Sequence, residues 1–106
     1  MIWCKKFYCG DGIESECAKI VRLIKHKKPV EDIFVIALPV YGNNLLDIFE
    51  ASELLKPFHN TKNLEIVGIA SGKDSAMLLC GRIVDEVYKE TGGFDVAAYI
   101  RQGQAG

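Results

Sequence analysis

Apolar, β-branched stretches recur along the chain, and three of them end at a polar loop that contains glycine. The stretches are residues 7–9, 34–38 and 64–70, and the loops that follow them are residues 10–12, 41–44 and 71–74. An amphipathic segment comes after each loop, so the pattern predicts three βα units. Consecutive βα units build a parallel sheet whose strand-to-helix loops all lie at one edge.

Helical spacing of apolar residues predicts the three helices. The first has Asp11 as its N-cap and an apolar stripe between residues 13 and 24, and it ends at Lys28 and Pro29. The second covers residues 45–56, and the third covers residues 74–90 and stops at Gly92 and Gly93. Inside the third helix, Gly81 is interpreted as a position where the helix approaches the sheet closely, because glycine weakens a helix interior without such a reason.

The end of the chain is ambiguous. Residues 94–100 fit either a fourth strand or a short helix capped by Asp95, and residues 101–106 are expected to form a flexible tail. The elements together predict a single α/β domain over residues 1–100. Its expected architecture is a three-layer sandwich with a small, mainly parallel sheet of three or four strands, flavodoxin-like or a reduced Rossmann-like variant.

Charge and hydropathy narrow the function classes. The formal net charge of −1 over 106 residues lacks the basic surplus of a nucleic-acid-binding protein. The longest uncharged apolar run, residues 33–41, is too short for a membrane span and contains Pro39. Without the pattern of a signal peptide at the N-terminus, we expect a cytoplasmic protein.

The four cysteines, Cys4, Cys9, Cys17 and Cys80, form no Cys-x-x-Cys pair, and neither histidine lies near one of them in sequence. A structural zinc site requires such spacing, so no metal site is predicted. In a cytoplasmic protein, cysteines are expected to be reduced thiols. No cofactor is predicted either, because the chain has neither a dinucleotide-binding nor a P-loop motif.

Three segments, LPVYGNNLLDIFEASELLKP, IVGIASGKDSAMLL and EVYKETGGFDVAAYI, resemble a family of small, uncharacterised bacterial α/β proteins. The resemblance covers most of the chain after the first helix. Because that family has no assigned activity, the resemblance implies the fold and gives no residue a role.

The loop at residues 71–75, Ser-Gly-Lys-Asp-Ser, resembles the Ser-Gly-Gly-x-Asp-Ser loop of the PP-loop pyrophosphatases, which holds the phosphates of a nucleotide. A simpler interpretation is that Ser71 or Asp74 caps the helix. If the three loops share one edge, a phosphate-bearing small molecule is an alternative ligand. Its candidate binding residues are Gly10, Asp11, Gly12, Tyr41, Asn43, Asn44, Ser71, Gly72, Lys73 and Asp74.

Cys9 ends the first predicted strand, as the phosphorylated cysteine does in the B domains of sugar phosphotransferase systems, which this loop resembles. The resemblance implies a phosphoryl carrier. Asp11 and Glu14 oppose that role because their charges would repel a phosphoryl group and raise the thiol pKa. The alternative is that Cys9 packs as a small hydrophobic residue.

The second predicted helix is too apolar to bury all its residues against one sheet. We therefore expect part of it to form an interface, most economically with a second copy of the chain. The interface candidates are Leu46, Phe49, Leu54 and Phe58. The preferred hypothesis is a non-enzymatic accessory or interaction module that self-associates or binds a protein partner. Anion or nucleotide binding at the loops and phosphoryl transfer at Cys9 remain the alternatives.

Overall fold

The computed structural model describes residues 1–40, 44–56 and 61–105. Four strands, three α-helices and two 3-10 segments follow one another in these residues. In chain order they are β1 (Ile2–Cys9), a 3-10 turn (Glu14–Glu16), α1 (Cys17–Lys25), β2 (Ile33–Ala37), β3 (Asp47–Glu50), a second 3-10 segment (Ala51–Leu55), β4 (Glu65–Ser71), α2 (Lys73–Thr91) and α3 (Val96–Ala105).

The four strands form one mixed sheet in the order β1-β4-β2-β3. β1 and β4 run parallel, whereas β2 is antiparallel to both β4 and β3. The predicted mainly parallel, flavodoxin-like or Rossmann-like sheet is therefore wrong.

The direction of β2 is the source of that error. Ile33, at the start of β2, pairs with Ser71, at the end of β4. Residues 26–32 therefore return the chain to the edge of the sheet where β4 ends, and β2 runs from there toward the start of β4. Val35, Ile36 and Ala37 are fully buried. A strand covered on both faces has a continuous apolar sequence whichever way it runs, so this pattern reports burial and not direction.

Residues 45–56 do not form the predicted helix. Asp47–Glu50 is a strand that pairs with β2, and Ala51–Leu55 is a 3-10 segment. Ile48 and Phe49 pack on opposite faces of the sheet, because adjacent residues of a strand point to opposite sides. The dense apolar sequence thus serves two layers of core, which removes the excess of apolar surface that a helix would have left exposed.

The C-terminal segment adopts the helical alternative. The backbone N–H of Ala98 donates to Asp95 Oδ1 at 3.1 Å, which is an N-cap interaction. α3 then continues to Ala105, through most of the residues that were expected to form a tail. α2 ends as predicted at Gly92, which has a left-handed φ of 76°. The prediction that Gly81 lets α2 approach the sheet closely is wrong, because a Cβ atom added to it would meet nothing within 4 Å.

Two apolar cores lie on opposite sides of the sheet. α2 and α3 cover one face, with Ile36, Val67 and Ile83 at its centre. α1 and the Ala51–Leu55 segment cover the other face, against Val35 and Ile69. Each of these strand side chains is fully buried, and burying one contributes about 1.5–3 kcal/mol.

Candidate functional site

Two of the three predicted loops lie together, at the carboxyl ends of β1 and β4. Cys9 pairs with Ile69, and the N–H of Gly10 donates to the carbonyl oxygen of Ile69 at 2.9 Å. A Cβ atom on Gly10 would lie only 2.8 Å from Ala70 Cβ, so only glycine fits this contact. Gly10, Asp11 and Gly12 are thereby brought to the same edge as Ser71, Gly72, Lys73 and Asp74.

The third predicted loop does not join them. Asn44 precedes β3 and donates from Nδ2 to Asp47 Oδ1 at 3.2 Å. Asp47 pairs with Ala37, which pairs with Ile66 near the start of β4. Asn44 thus lies at the opposite edge of the sheet, while Tyr41 and Asn43 lie outside the described residues. The antiparallel course of β2 divides the proposed ligand site.

The first turn of α2 has no side-chain cap, so the predicted capping by Ser71 or Asp74 is wrong. Gly72 is the N-cap residue, with a φ of 85°, and its N–H donates to the carbonyl oxygen of Asp32 at 2.7 Å. Asp32 itself has a φ of 56°. The two left-handed residues fasten the start of α2 to the turn before β2 through backbone atoms.

The charge around this edge opposes phosphate binding. Arg82 forms an ion pair with Asp11 at 3.3 Å, which neutralises one cation. Carboxylates outnumber cations beside the second loop: Glu16 and Glu31 line a pocket with Ser71 and a single cation, Lys19, and a carboxylate oxygen of Asp32 lies beside Gly72. An anionic ligand would meet a surplus of negative charge here.

A disulfide joins Cys9, at the end of β1, to Cys17, the first residue of α1. The Cα atoms of the two residues are 6.5 Å apart. The expectation that these two cysteines are reduced thiols is wrong for this structure, and a disulfide is unusual in the cytoplasm, where the sequence analysis expected the protein. While its sulfur is bonded to Cys17, Cys9 cannot accept a phosphoryl group. Cys4 and Cys80 are free thiols.

A polar cluster that the sequence did not indicate joins β1, α2 and α3. Glu86 Oε2 accepts hydrogen bonds from Tyr8 Oη at 2.5 Å and Tyr99 Oη at 3.0 Å. Lys6 Nζ lies 3.3 Å from the same oxygen and 4.9 Å from the centre of the Tyr99 ring. One carboxylate therefore collects two phenols and an ammonium from three elements.

The protonation states of this cluster favour a structural role. Burial, together with the hydrogen bond to Glu86, raises the pKa of Tyr8. The Tyr8 hydrogen bond, followed by those from Tyr99 and Lys6, lowers the pKa of Glu86. At neutral pH the phenol stays protonated and the carboxylate ionised, so neither group is tuned for proton transfer. The cluster holds α3 and α2 against β1.

The four predicted interface residues do not form one surface. Leu54 is only 1% exposed and packs in the core beside α1. Phe49 packs against that same core, whereas Leu46 packs on the α2 side. Phe58 lies outside the described residues. The helix predicted over residues 45–56 to carry the interface does not form, and the segment divides its side chains between two layers.

An apolar groove of about 330 Å³ lies between the β3 region and α2. Asn44, Leu45, Leu46 and Ile48 line one side, and Met77, Cys80 and Val84 line the other. Met77 is 57% exposed and Leu45 is 43% exposed, so the groove opens to solvent between two large apolar side chains.

Exposed apolar surface continues along α2 beyond this groove. Tyr88 lies 11 residues after Met77 on the same side of the helix and stacks on Phe94, with ring centroids 5.1 Å apart. Both rings are at least half exposed. We call this surface the apolar face of α2; it comprises Leu45, Leu46, Ile48, Met77, Cys80, Gly81, Val84, Tyr88 and Phe94.

The sequence carried a signal for this face that the helical pattern obscured. The predicted core stripe of α2 already contained Cys80 and Val84, which lie at the border between core and surface. Met77 and Tyr88 extend that border outward at helical spacing. An apolar stripe that is widened on one side only therefore indicates an exposed apolar face beside the core.

Within residues 1–40, 44–56 and 61–105, no group of three or more histidine, cysteine, aspartate or glutamate residues is arranged to hold a metal ion. Over the same residues, no helix has the length and apolar character needed to cross a membrane. No family model, curated protein or solved structure matches the chain.

Proposed function

We propose that the protein is a non-enzymatic interaction module that self-associates through the apolar face of α2. One observation carries the proposal: among the described residues seven large apolar side chains are exposed, and four of them lie on the apolar face of α2. These four are Leu45, Met77, Tyr88 and Phe94. Soluble monomers rarely present a contiguous apolar patch of this kind without a binding role.

A second copy of the chain is the most economical partner for this face. Two-fold homodimers need only one self-complementary surface. A symmetry-related copy would cover the exposed side chains of one α2 with those of the other.

The two alternative functions have less support. Anion binding at the carboxyl edge of β1 and β4 meets the surplus of carboxylates there, and its third loop lies elsewhere. A phosphoryl carrier at Cys9 would first require reduction of the disulfide to Cys17. The self-association proposal requires neither a change of covalent state nor a compensating charge.

Sedimentation velocity over a range of protein concentrations tests the proposal. We expect the wild-type protein to shift from monomer to dimer, and Met77→Lys and Leu45→Lys to remain monomeric, because each places a charge in the apolar face. Ile2→Lys is a matched control. Ile2 is 41% exposed against 43% for Leu45, and it lies on β1, at the other end of the strand order from β3.

The control variant is expected to dimerise like the wild type. A wild-type protein that remains monomeric at the highest soluble concentration would overturn the proposal. Equal loss of association in Ile2→Lys and Leu45→Lys would also overturn it, since the apolar face would then have no special part in the contact.

A further inference from the structure

The segment between β1 and α1 makes few contacts with the rest of the domain. Of its residues 11–16, only Ile13 is buried. Asp11 forms an ion pair with Arg82, but both side chains are more than half exposed, so the pair adds little stability. The N–H of Glu16 donates to the carbonyl oxygen of Ile13 at 2.9 Å, which is a bond within the segment. The side chains of residues 11–16 therefore hold this segment weakly.

The start of α1 is held by a covalent bond instead of a cap. Among the described residues, no side chain caps the 3-10 turn or α1 at the N-cap positions, Ile13 and Glu16. Capping side chains ordinarily fix the first turn of a helix through its free N–H groups. Cys17, the first residue of α1, is fixed by its disulfide to Cys9.

The chain on either side of the segment is anchored independently of the disulfide. Cys9 pairs with Ile69 in the sheet, and the N–H of Gly10 donates to the carbonyl oxygen of Ile69. Ile20 and Ile24 of α1 are 8% and 1% exposed and pack in the core. Opening the disulfide therefore frees the segment and leaves both of its flanks in place.

We propose that the disulfide between Cys9 and Cys17 is a redox switch. When a thiol reductant opens it, residues 11–16 and the first turn of α1 leave their folded positions, while the sheet, α2 and α3 stay folded. The burial of Ile13 alone does not offset the entropy lost in ordering the whole segment. The switch is independent of self-association, since the disulfide and the apolar face of α2 lie on opposite sides of the sheet.

Reduction of the disulfide consumes two thiols. The thiolate of one reductant molecule attacks a sulfur of the disulfide and forms a mixed disulfide, and the other cysteine leaves as a thiolate. A second reductant thiolate attacks the mixed disulfide at the reductant's own sulfur and releases the second cysteine. Two reductant molecules become one disulfide, and their two protons end on Cys9 and Cys17. Neither cysteine is fully buried, so a small thiol such as glutathione can reach the bond.

The other two cysteines do not compete in this exchange. Burial raises the pKa of the Cys4 thiol and of the Cys80 thiol, which keeps both protonated at neutral pH. The thiolate is the form that attacks a disulfide. The response to a reductant is therefore confined to the pair Cys9 and Cys17.

The switch acts on one wall of the pocket beside Ser71. This pocket has a volume of about 340 Å³. Ile13 and Glu16 line it from the segment, opposite Glu31 of the turn before β2. Release of the segment removes an apolar side chain and a carboxylate from the pocket wall. The redox state of the disulfide thus sets the shape and the charge of this edge of the sheet.

Amide NMR spectra of isotope-labelled protein, oxidised and then reduced with excess dithiothreitol, test the proposal. Dithiothreitol supplies both thiols from one molecule. On reduction, the amide signals of residues 11–18 should move to the positions of an unstructured chain, while those of Val35, Ile69 and Ile83 keep their folded positions. Oxidised glutathione should restore the first spectrum. Loss of all folded signals, or shifts confined to Cys9, Cys17 and their immediate neighbours, would overturn the proposal.

Two variants assign the effect to this bond. Cys17→Ser without reductant should give the spectrum of the reduced wild type over residues 11–16, and dithiothreitol should not change it further. Cys80→Ser is the matched control, because it keeps the disulfide and should respond to dithiothreitol like the wild type. A Cys17→Ser protein with residues 11–16 at their folded positions would overturn the proposal, as would a Cys80→Ser protein that does not respond to the reductant.

Discussion

The two faces of the sheet are covered in different ways. On the side of α1, the covering elements expose no large apolar side chain: Ile24 and Leu54 are each 1% exposed, and Val21, Leu23 and Leu55 are half-buried. On the side of α2 and α3, the core is equally dry, but the same helix also exposes Met77 and Tyr88 by half or more. The layer of α1 exposes no large apolar side chain, whereas the layer of α2 and α3 has both a buried core and exposed apolar side chains.

The layer of α1 is also the one that a covalent bond holds to the sheet. The disulfide between Cys9 and Cys17 ties the end of β1 to the start of α1. The other layer is held without a covalent link, by the hydrogen bonds and ion pair that converge on Glu86. The covalent link thus lies on one face of the sheet, and most of the exposed apolar surface lies on the other.

Removing the disulfide gives the largest expected effect on stability. Cys17→Ser frees a chain segment with a sequence separation of 8, and we expect the free energy of unfolding to fall by about 2–3 kcal/mol, because the unfolded chain gains entropy. Urea unfolding under non-reducing conditions measures this change.

Reduction of the wild-type protein is the matched control, since it should reproduce the loss without a substitution. The oxidised and the reduced wild-type protein should self-associate equally, because the disulfide lies on the α1 side of the sheet and the apolar face of α2 lies on the other side. A loss of association on reduction would contradict the claim that the α1 side of the sheet takes no part in association.

Replacing the carboxylate that holds α3 gives the next effect. Glu86→Gln keeps the size of the side chain but weakens the bonds from Tyr8 and Tyr99, and we expect a loss of about 1 kcal/mol, since the 37% exposed side chain is partly screened by solvent. Urea unfolding at neutral pH measures it.

Acid should remove the difference in stability between the wild type and Glu86→Gln. The pKa of Glu86 is lower in the folded protein than the ordinary value of 4.5, so its contribution is present above that value. It is lost as the pH falls through the lowered folded pKa. The stabilities of wild type and Glu86→Gln should therefore converge in acid. A difference that persists unchanged in acid would contradict a role for the ionised carboxylate.

Effects of no more than about 1 kcal/mol are expected at two glycines, Gly81 inside α2 and Gly92 at its C-cap, which should respond to alanine in opposite directions. Gly92→Ala should cost about 1 kcal/mol because its φ of 76° is unfavourable for alanine, although no atom lies within 4 Å of the added Cβ. Gly81→Ala should stabilise the monomer by up to about 1 kcal/mol. Thermal unfolding of the two variants side by side measures both. A destabilised Gly81→Ala monomer would mean that Gly81 has an unrecognised role within one copy.

The sequence predicted local structure better than topology. The start and end of β4 and the end of α2 at Gly92 follow from patterns within a few residues, because burial and the left-handed cap are local properties. The direction of β2 is set by how residues 26–32 cross the molecule, and no local pattern encodes it. Ile48 and Phe49 fit a helix stripe or two faces of a strand equally well, so that segment was assigned wrongly.

The candidate site was found only in part for the same reason. Leu46 lines the groove and was predicted to lie in an interface, but its partners Met77 and Val84 come from α2, a distant segment. The disulfide was missed because Cys9 and Cys17 become neighbours only when the loop between them folds back. Contacts between remote elements cannot be obtained from spacing within either element.

The central claim is that the apolar face of α2, and not the layer of α1, mediates association. Amide NMR spectra of isotope-labelled protein, recorded at low and at high concentration, test it most directly. We predict concentration-dependent shifts of the amides of Leu45, Met77, Gly81 and Tyr88, with those of Ile20 and Ile24 unchanged. Shifts confined to α1, or identical spectra at both concentrations, would contradict the account.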